Sequence, residues 1–146
     1  MSKYGIWKRP FSYLVVSCVV IAAVLIYQYQ NRIAVTKEQE LQREFAKLGV
    51  PSETTLLEIR RHHKAGSAYI TSQYTHSGTF DDIVKYYKTE LESKGWNFHT
   101  RKLLPSGIEQ VEFCKSDFGA ELYHNANSPS TAKFWLDLTW HLNECG

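Results

Sequence analysis

The chain has 146 residues, enough for one domain of about 100 to 150 residues with a short accessory segment. Hydrophobic residues make up 43% and charged residues 22%, a globular balance that excludes wholesale disorder and a polytopic membrane bundle. The formal net charge of +2 is unevenly placed: Lys3, Lys8 and Arg9 stand before an apolar run with no acid among them, while all 15 acidic residues follow it. The part after the run is therefore close to neutral, which argues against a nucleic-acid partner.

From Pro10 to Asn31 there is no Asp, Glu, Lys, Arg or His. Residues 11–29 are dominated by Leu, Val, Ile, Ala and aromatics, and at ~1.5 Å per residue they reach about 28 Å, the thickness of a hydrocarbon core. A helix is the expected form, because lipid offers no partner for backbone polar groups. Tyr4, Trp7, Phe11 and Tyr13 on one side and Tyr27 and Tyr29 on the other are expected interfacial anchors. The basic residues at 3, 8 and 9 predict a cytoplasmic tail over 1–10 and a single pass through the inner (plasma) membrane, with the rest periplasmic or extracellular. A cleaved signal peptide needs a small-x-small site, which Tyr27-Gln28-Tyr29-Gln30-Asn31 lacks. Val15-Val16-Ser17-Cys18 loosely resembles a lipobox, but a lipidated Cys18 would be followed by a second apolar run that a lipid anchor does not need.

Residues 30–51 read as a juxtamembrane helical connector. Thr36 with Gln39 has the spacing of a capping box, Leu41, Phe45 and Leu48 recur at helical spacing, and Gly49 and Pro51 stop the helix. Whether it continues the membrane helix or restarts at Thr36, such a helix standing upright lifts the folded part up to ~20 Å above the headgroups. Its short stripe suits packing on the domain better than pairing with another membrane helix, since a coiled coil needs several heptads.

The domain is expected over 52–146. Thr54 to His63 and Ala68 to Thr75 read as a hairpin around Lys64-Ala65-Gly66-Ser67. Thr79 with Asp82 marks a helix start, Phe80, Ile83, Val84, Tyr87 and Leu91 line one face, and Gly95 ends it. Trp96 to Leu104 alternates, with Trp96, Phe98 and Thr100 predicted on one side. Ile108 to Lys115, Phe118 to His124 and Thr131 to Leu142 complete the strands, separated by Pro105-Ser106-Gly107, Ser116-Asp117 and the polar run 125–130. The order ββαββββ predicts an α+β fold in which a small, mostly antiparallel sheet packs on one helix.

Tyr86-Tyr87 in the capped helix, the Gly95-Trp96 junction and the hairpin Phe113-x-Lys115-x-Asp117-Phe118, all behind an N-terminal anchor, resemble small membrane-anchored bacterial envelope domains of unsettled function. The resemblance spans Phe80 to Phe118. It implies compartment and fold, and carries no catalytic residue or cofactor.

Cys114 and Cys145 lie on the predicted outer side of the membrane, where an oxidising compartment favours a disulfide between them. His62 and His63 point to opposite strand faces, whereas His99 and His141 would meet only if their strands were neighbours, and no metal site is expected. Arg60, Arg61, His62, His63 and Lys64 form the densest basic run, read either as a solvated edge that blocks unwanted pairing or as a contact for anionic headgroups or an acidic partner. If Leu138 and Trp140 face the core, Trp135 points away from it, with Tyr69 and Tyr123 placed to join it. That aromatic face is either a binding surface or the seat of the connector helix, residues 37 to 48.

Together these features predict a non-enzymatic envelope protein whose outer domain binds another protein, as an accessory subunit or an immunity-type neutraliser. The alternatives are a cell-wall, glycan or lipid binding module and, less in keeping with the motifs, an enzyme using Cys114 or the histidines.

Overall fold

A computed structural model describes residues 8–127 and 132–141, so the anchor residues Lys3, Tyr4 and Trp7, the strand end at Leu142 and the disulfide partner Cys145 lie outside the described residues. The elements in chain order are α1 (Lys8–Lys47), β1 (Thr54–Lys64), β2 (Ser67–His76), α2 (Phe80–Glu92), β3 (Asn97–Leu103), β4 (Ile108–Lys115), β5 (Phe118–Asn125) and β6 (Ala132–His141). The fold is α+β, with a six-stranded sheet in the order β1-β2-β6-β5-β4-β3 and every neighbouring pair antiparallel.

The first helix is continuous over 40 residues. Its first part is long and apolar enough to cross a membrane, and residues 13–29 touch little else: Leu14 is 65%, Ile21 59% and Leu25 59% exposed. The helix then enters the core without a break. Ala34 and Leu41 are fully buried, with Ile33, Phe45 and Leu48 packed at the edge of the same cluster. The capping box expected at Thr36 is absent, because the Thr36 hydroxyl donates to the Arg32 carbonyl one turn back, as it does in a helix interior. The Leu41, Phe45, Leu48 stripe packs on the domain as its spacing predicts. Two helices therefore cover the sheet, where the sequence pattern suggested one.

Two ion pairs and a histidine–carboxylate hydrogen bond fasten this helical tail to the sheet. Lys37 Nζ lies 2.9 Å from Asp117, Lys115 Nζ lies 2.7 Å from Glu44, and His63 Nδ1 hydrogen-bonds with Glu38. The Trp140 indole N–H also donates to Asp117 at 2.9 Å, and the Lys37 ammonium sits 4.9 Å from the centre of the Phe118 ring. The polar groups of this tail are thus matched across to the β1 end and the β4–β5 turn.

The second helix starts as expected. Thr79 accepts from the Asp82 N–H while the Asp82 carboxylate accepts from the Thr79 N–H, a reciprocal cap, and Phe80, Ile83, Val84, Tyr87 and Leu91 are buried. Gly95 has φ +83°, the left-handed geometry that closes a helix C-terminus, and lets the Trp96 N–H return to the Leu91 carbonyl at 3.1 Å. Trp96 and Tyr87 are buried at the helix–sheet seam.

Two bulges correct the plain alternation. One lies between Leu56 and Glu58, so Leu56 and Ile59 both face the helices although an unbroken strand would place them on opposite faces. The other lies between Phe98 and Thr100, which places Phe98 opposite Phe113 on the helix side and Thr100 opposite Glu112 on the other. Trp96, Phe98 and Thr100 thus do not share a side as predicted, because His99 is the extra residue.

If the tail of α1 belongs to the core, Leu41→Ala should lower the unfolding free energy by about 2–4 kcal/mol in urea or thermal melts of the detergent-solubilised chain. Arg43→Ala, two residues on and on the exposed side of the helix, should change it by less than about 0.5 kcal/mol. Equal, small effects would contradict the packing.

Candidate functional site

Both helices lie on one face of the sheet, the face of Ala68, Ile70, Val111, Phe113, Ala120, Leu122, Phe134, Leu136 and Leu138. Among the described residues no helix lies over the opposite face. The connector helix therefore does not cover the aromatic surface.

Strand register lays out that open face in rows. The first runs Glu58, Gln73, Trp135, Tyr123, Gln110, Lys102; the second Arg60, Thr71, Asp137, Glu121, Glu112, Thr100; the third Tyr69, Thr139 and Gly119, with His62 beside Tyr69 and Cys114 beside Gly119. Trp135 and Tyr123 are direct cross-strand neighbours and half-buried, because each leans on the other row members rather than standing free. Tyr69 packs on His62 with ring centres 5.2 Å apart. A shallow cavity of about 110 Å³ opens between Glu58, Arg60, Thr71, Gln73 and Trp135.

Polar groups bind this surface together. The Gln110 amide donates to Glu121 at 3.0 Å and to the Tyr123 hydroxyl at 3.2 Å, Lys102 reaches Glu112 at 2.6 Å, and Arg60 holds Glu58 at 2.7 Å. Among the carboxylates of this face Asp137 is the exception. Its Oδ1 is buried and has no hydrogen-bond partner among the described residues, and burial pushes its carboxyl up to about 6, offset only in part by a hydrogen bond with Thr71. A carboxylate kept in such a place on an otherwise well-paired face marks the centre of the candidate site.

The predicted surface residues divide. Trp135, Tyr69, Tyr123 and Arg60 share the open face; Arg61 does not, since it is opposite Ile70 and so on the helix side. The basic run therefore splits between faces, as alternation requires. Cys114 is on the open face opposite Asn97 and Gly119, Cys145 lies outside the described residues, and Cys18 is an exposed free cysteine on α1. His99 and His141 do not converge, because β3 and β6 are separated by β5 and β4. No group of three or more His, Cys, Asp or Glu able to hold a metal occurs among the described residues.

A second concavity lies on the helix side. Phe45, Leu48, Val50, Leu56, Ile59 and Tyr74 are among the residues lining an apolar groove of about 280 Å³ where the end of α1 meets β1. Sequence reading missed it because it depends on the β1 bulge that turns Leu56 and Ile59 to the same side. It likewise missed Asp137, whose alternation with Trp135 and Thr139 read only as an outward polar position.

These features define an α+β domain carried on a long apolar helix, with an open aromatic and polar sheet face. No family model, curated protein or solved structure matches the chain.

The Asp137 geometry sets a pH dependence. Its folded pKa lies above the unfolded value of about 4, so the folded state binds the proton more tightly; the contribution to stability is full below about pH 4 and is lost as pH rises through about 6. Asp137→Asn keeps a partner for Thr71 and removes the ionisation. It should stabilise the protein by roughly 1–2 kcal/mol at pH 7 and by much less at pH 4. A variant whose melting shift is the same at both pH values would contradict the assignment.

Proposed function

We propose that this chain is a single-pass protein of the bacterial inner membrane, N-terminus in the cytoplasm, whose periplasmic or extracellular domain binds another protein through the open sheet face and carries out no catalysis. An accessory subunit of a membrane assembly and an immunity-type neutraliser both fit that reading. One observation carries it. Trp135, Tyr123 and Tyr69 sit on a face that both helices leave uncovered, although α1 had the length to reach either side. Partly buried aromatics held by a polar network present a large, rigid contact area at low entropic cost, the usual character of binding anchors.

Affinity purification from solubilised membranes tests it. The chain should bring down one protein at matched abundance, and Trp135→Ala combined with Tyr123→Ala should reduce that recovery at least tenfold with the melting temperature little changed. Recovery of the chain alone, or a partner retained by the double variant, would contradict the proposal.

The apolar groove favours a second reading, a module for a lipid or another ligand with an apolar part, since its size approaches the ~300 Å³ lower end of small-molecule sites. A ligand lost on Leu56→Asp but retained by Trp135→Ala separates the two.

We also infer that Cys114 is bonded to Cys145. The chain has 3 cysteines, of which Cys18 is free, and the compartment proposed is oxidising. A link across a loop of about 30 residues is worth ~3–4 kcal/mol in the chain-entropy model. Unreduced peptide mapping should recover a 114–145 cross-link that disappears on reduction; alkylation of both thiols in the denatured, unreduced protein would contradict it.

A further inference from the structure

The way α1 enters the core fixes where the domain stands. The apolar stretch ends near Tyr29, and Ala34, only five residues on and about 8 Å higher along the helix, is already fully buried in the core. The domain thus starts where the lipid ends, not ~20 Å above it. It also folds back. Glu38 of α1 pairs with His63 near the end of β1, whereas Phe45, Leu48 and Val50 line a groove with Thr54 and Leu56 near its start, so β1 runs back along α1 toward the membrane.

That direction sets the height of the β1–β2 hairpin. Glu38 lies about 13 Å above Tyr29 by helix rise, and the chain descends about 7 Å from His63 to the turn at Ala65 by strand rise. The turn therefore lies about 6 Å beyond the apolar boundary, within the headgroup layer, which is about 5–7 Å thick.

Two cations occupy this level. Arg32 is on the first turn outside the apolar stretch, and Lys64 is the last residue of β1 at the hairpin turn. Both are exposed, and neither has an ion-pair partner among the described residues. Lys37 and Lys115, by contrast, are neutralised by Asp117 and Glu44.

We propose that Arg32 and Lys64 form a headgroup-binding rim that holds the β1–β2 hairpin on anionic phospholipids of the chain's own membrane. The occupant follows from position and charge: the covalent anchor keeps phospholipid phosphates permanently within reach, and each Lys or Arg near an anionic surface gains about 1 kcal/mol. The effect is to fix the tilt of the domain, so that its open face stands along the membrane normal. This rests on the membrane anchorage proposed above.

The full chain is placed in nanodiscs of phosphatidylcholine alone, or of phosphatidylcholine with about one-third phosphatidylglycerol, and amide hydrogen exchange is followed by mass spectrometry. Peptides over 61–67 should exchange about fivefold more slowly in the anionic discs. The difference should vanish in Arg32→Gln/Lys64→Gln and in ~1 M salt, where screening acts within about 3 Å. Peptides over the β3–β4 turn, residues 104–107, should not respond. Incorporation with identical exchange in both discs, or slowing that survives the double substitution, overturns the rim alone. A chain that enters neither disc overturns the anchorage and the rim with it.

Discussion

Burial of the α1 tail against the sheet is the constraint on which the rest of the structure depends. Ala34 and Leu41 are fully enclosed, Lys37 and Glu44 each meet an opposite charge on a strand or turn, and Glu38 meets the His63 ring. Partly exposed pairs of this kind add little energy individually, but they determine register: sliding the helix by one residue rotates the stripe by about 100° and separates all three pairs. The apolar contacts supply the free energy, and the charges select one arrangement among several that would bury similar area. Because the same helix continues into the apolar segment, the orientation of the domain relative to that segment is set by core packing and not by a flexible tether.

This has a consequence for the sheet. With one face occupied by α1 and α2, the other is left to solvent, and the residues there are neither the simple polar row of a solvated antiparallel sheet nor an apolar patch. Trp135, Tyr123 and Tyr69 lie between carboxylates and amides that bond to one another, and Asp137 is retained where ionisation is penalised. Fold stability alone would favour a threonine or asparagine at that position. A polar residue kept at a cost in stability, centred in a rigid aromatic surface, is the local cost that functional sites carry, and it is why the binding role proposed above is assigned to this face.

Much of this was legible in the residues. The capped helix from Thr79, the left-handed Gly95 and the alternation of β6 each follow from local chemistry, and local chemistry decides them. The stripe at Leu41, Phe45 and Leu48 also read correctly as packing on the domain. What was not legible depends on contacts far apart in the chain. The bulges at Leu57 and His99 shift side chains between faces without any glycine to announce them, so Phe98 and Thr100 were assigned to one side. Thr36 and Gln39 have the spacing of a cap, yet a helix continuing from upstream leaves no N–H groups there to be capped. The partners of Lys37, Glu38 and Glu44 are 25 to about 80 residues away in sequence, and the face on which α1 settles could not be read from periodicity, which reports that a stripe is buried but not against what.

The claim that the α1 tail is part of the core and not a spacer is tested most directly by removing it. Residues 30–146, carrying the tail without the apolar segment, should unfold in one cooperative transition and give dispersed amide NMR signals. Residues 50–146 should lack both, with the exposed sheet face binding a hydrophobic dye. If residues 50–146 fold cooperatively with a melting temperature equal to that of 30–146, the tail is dispensable and the account is wrong.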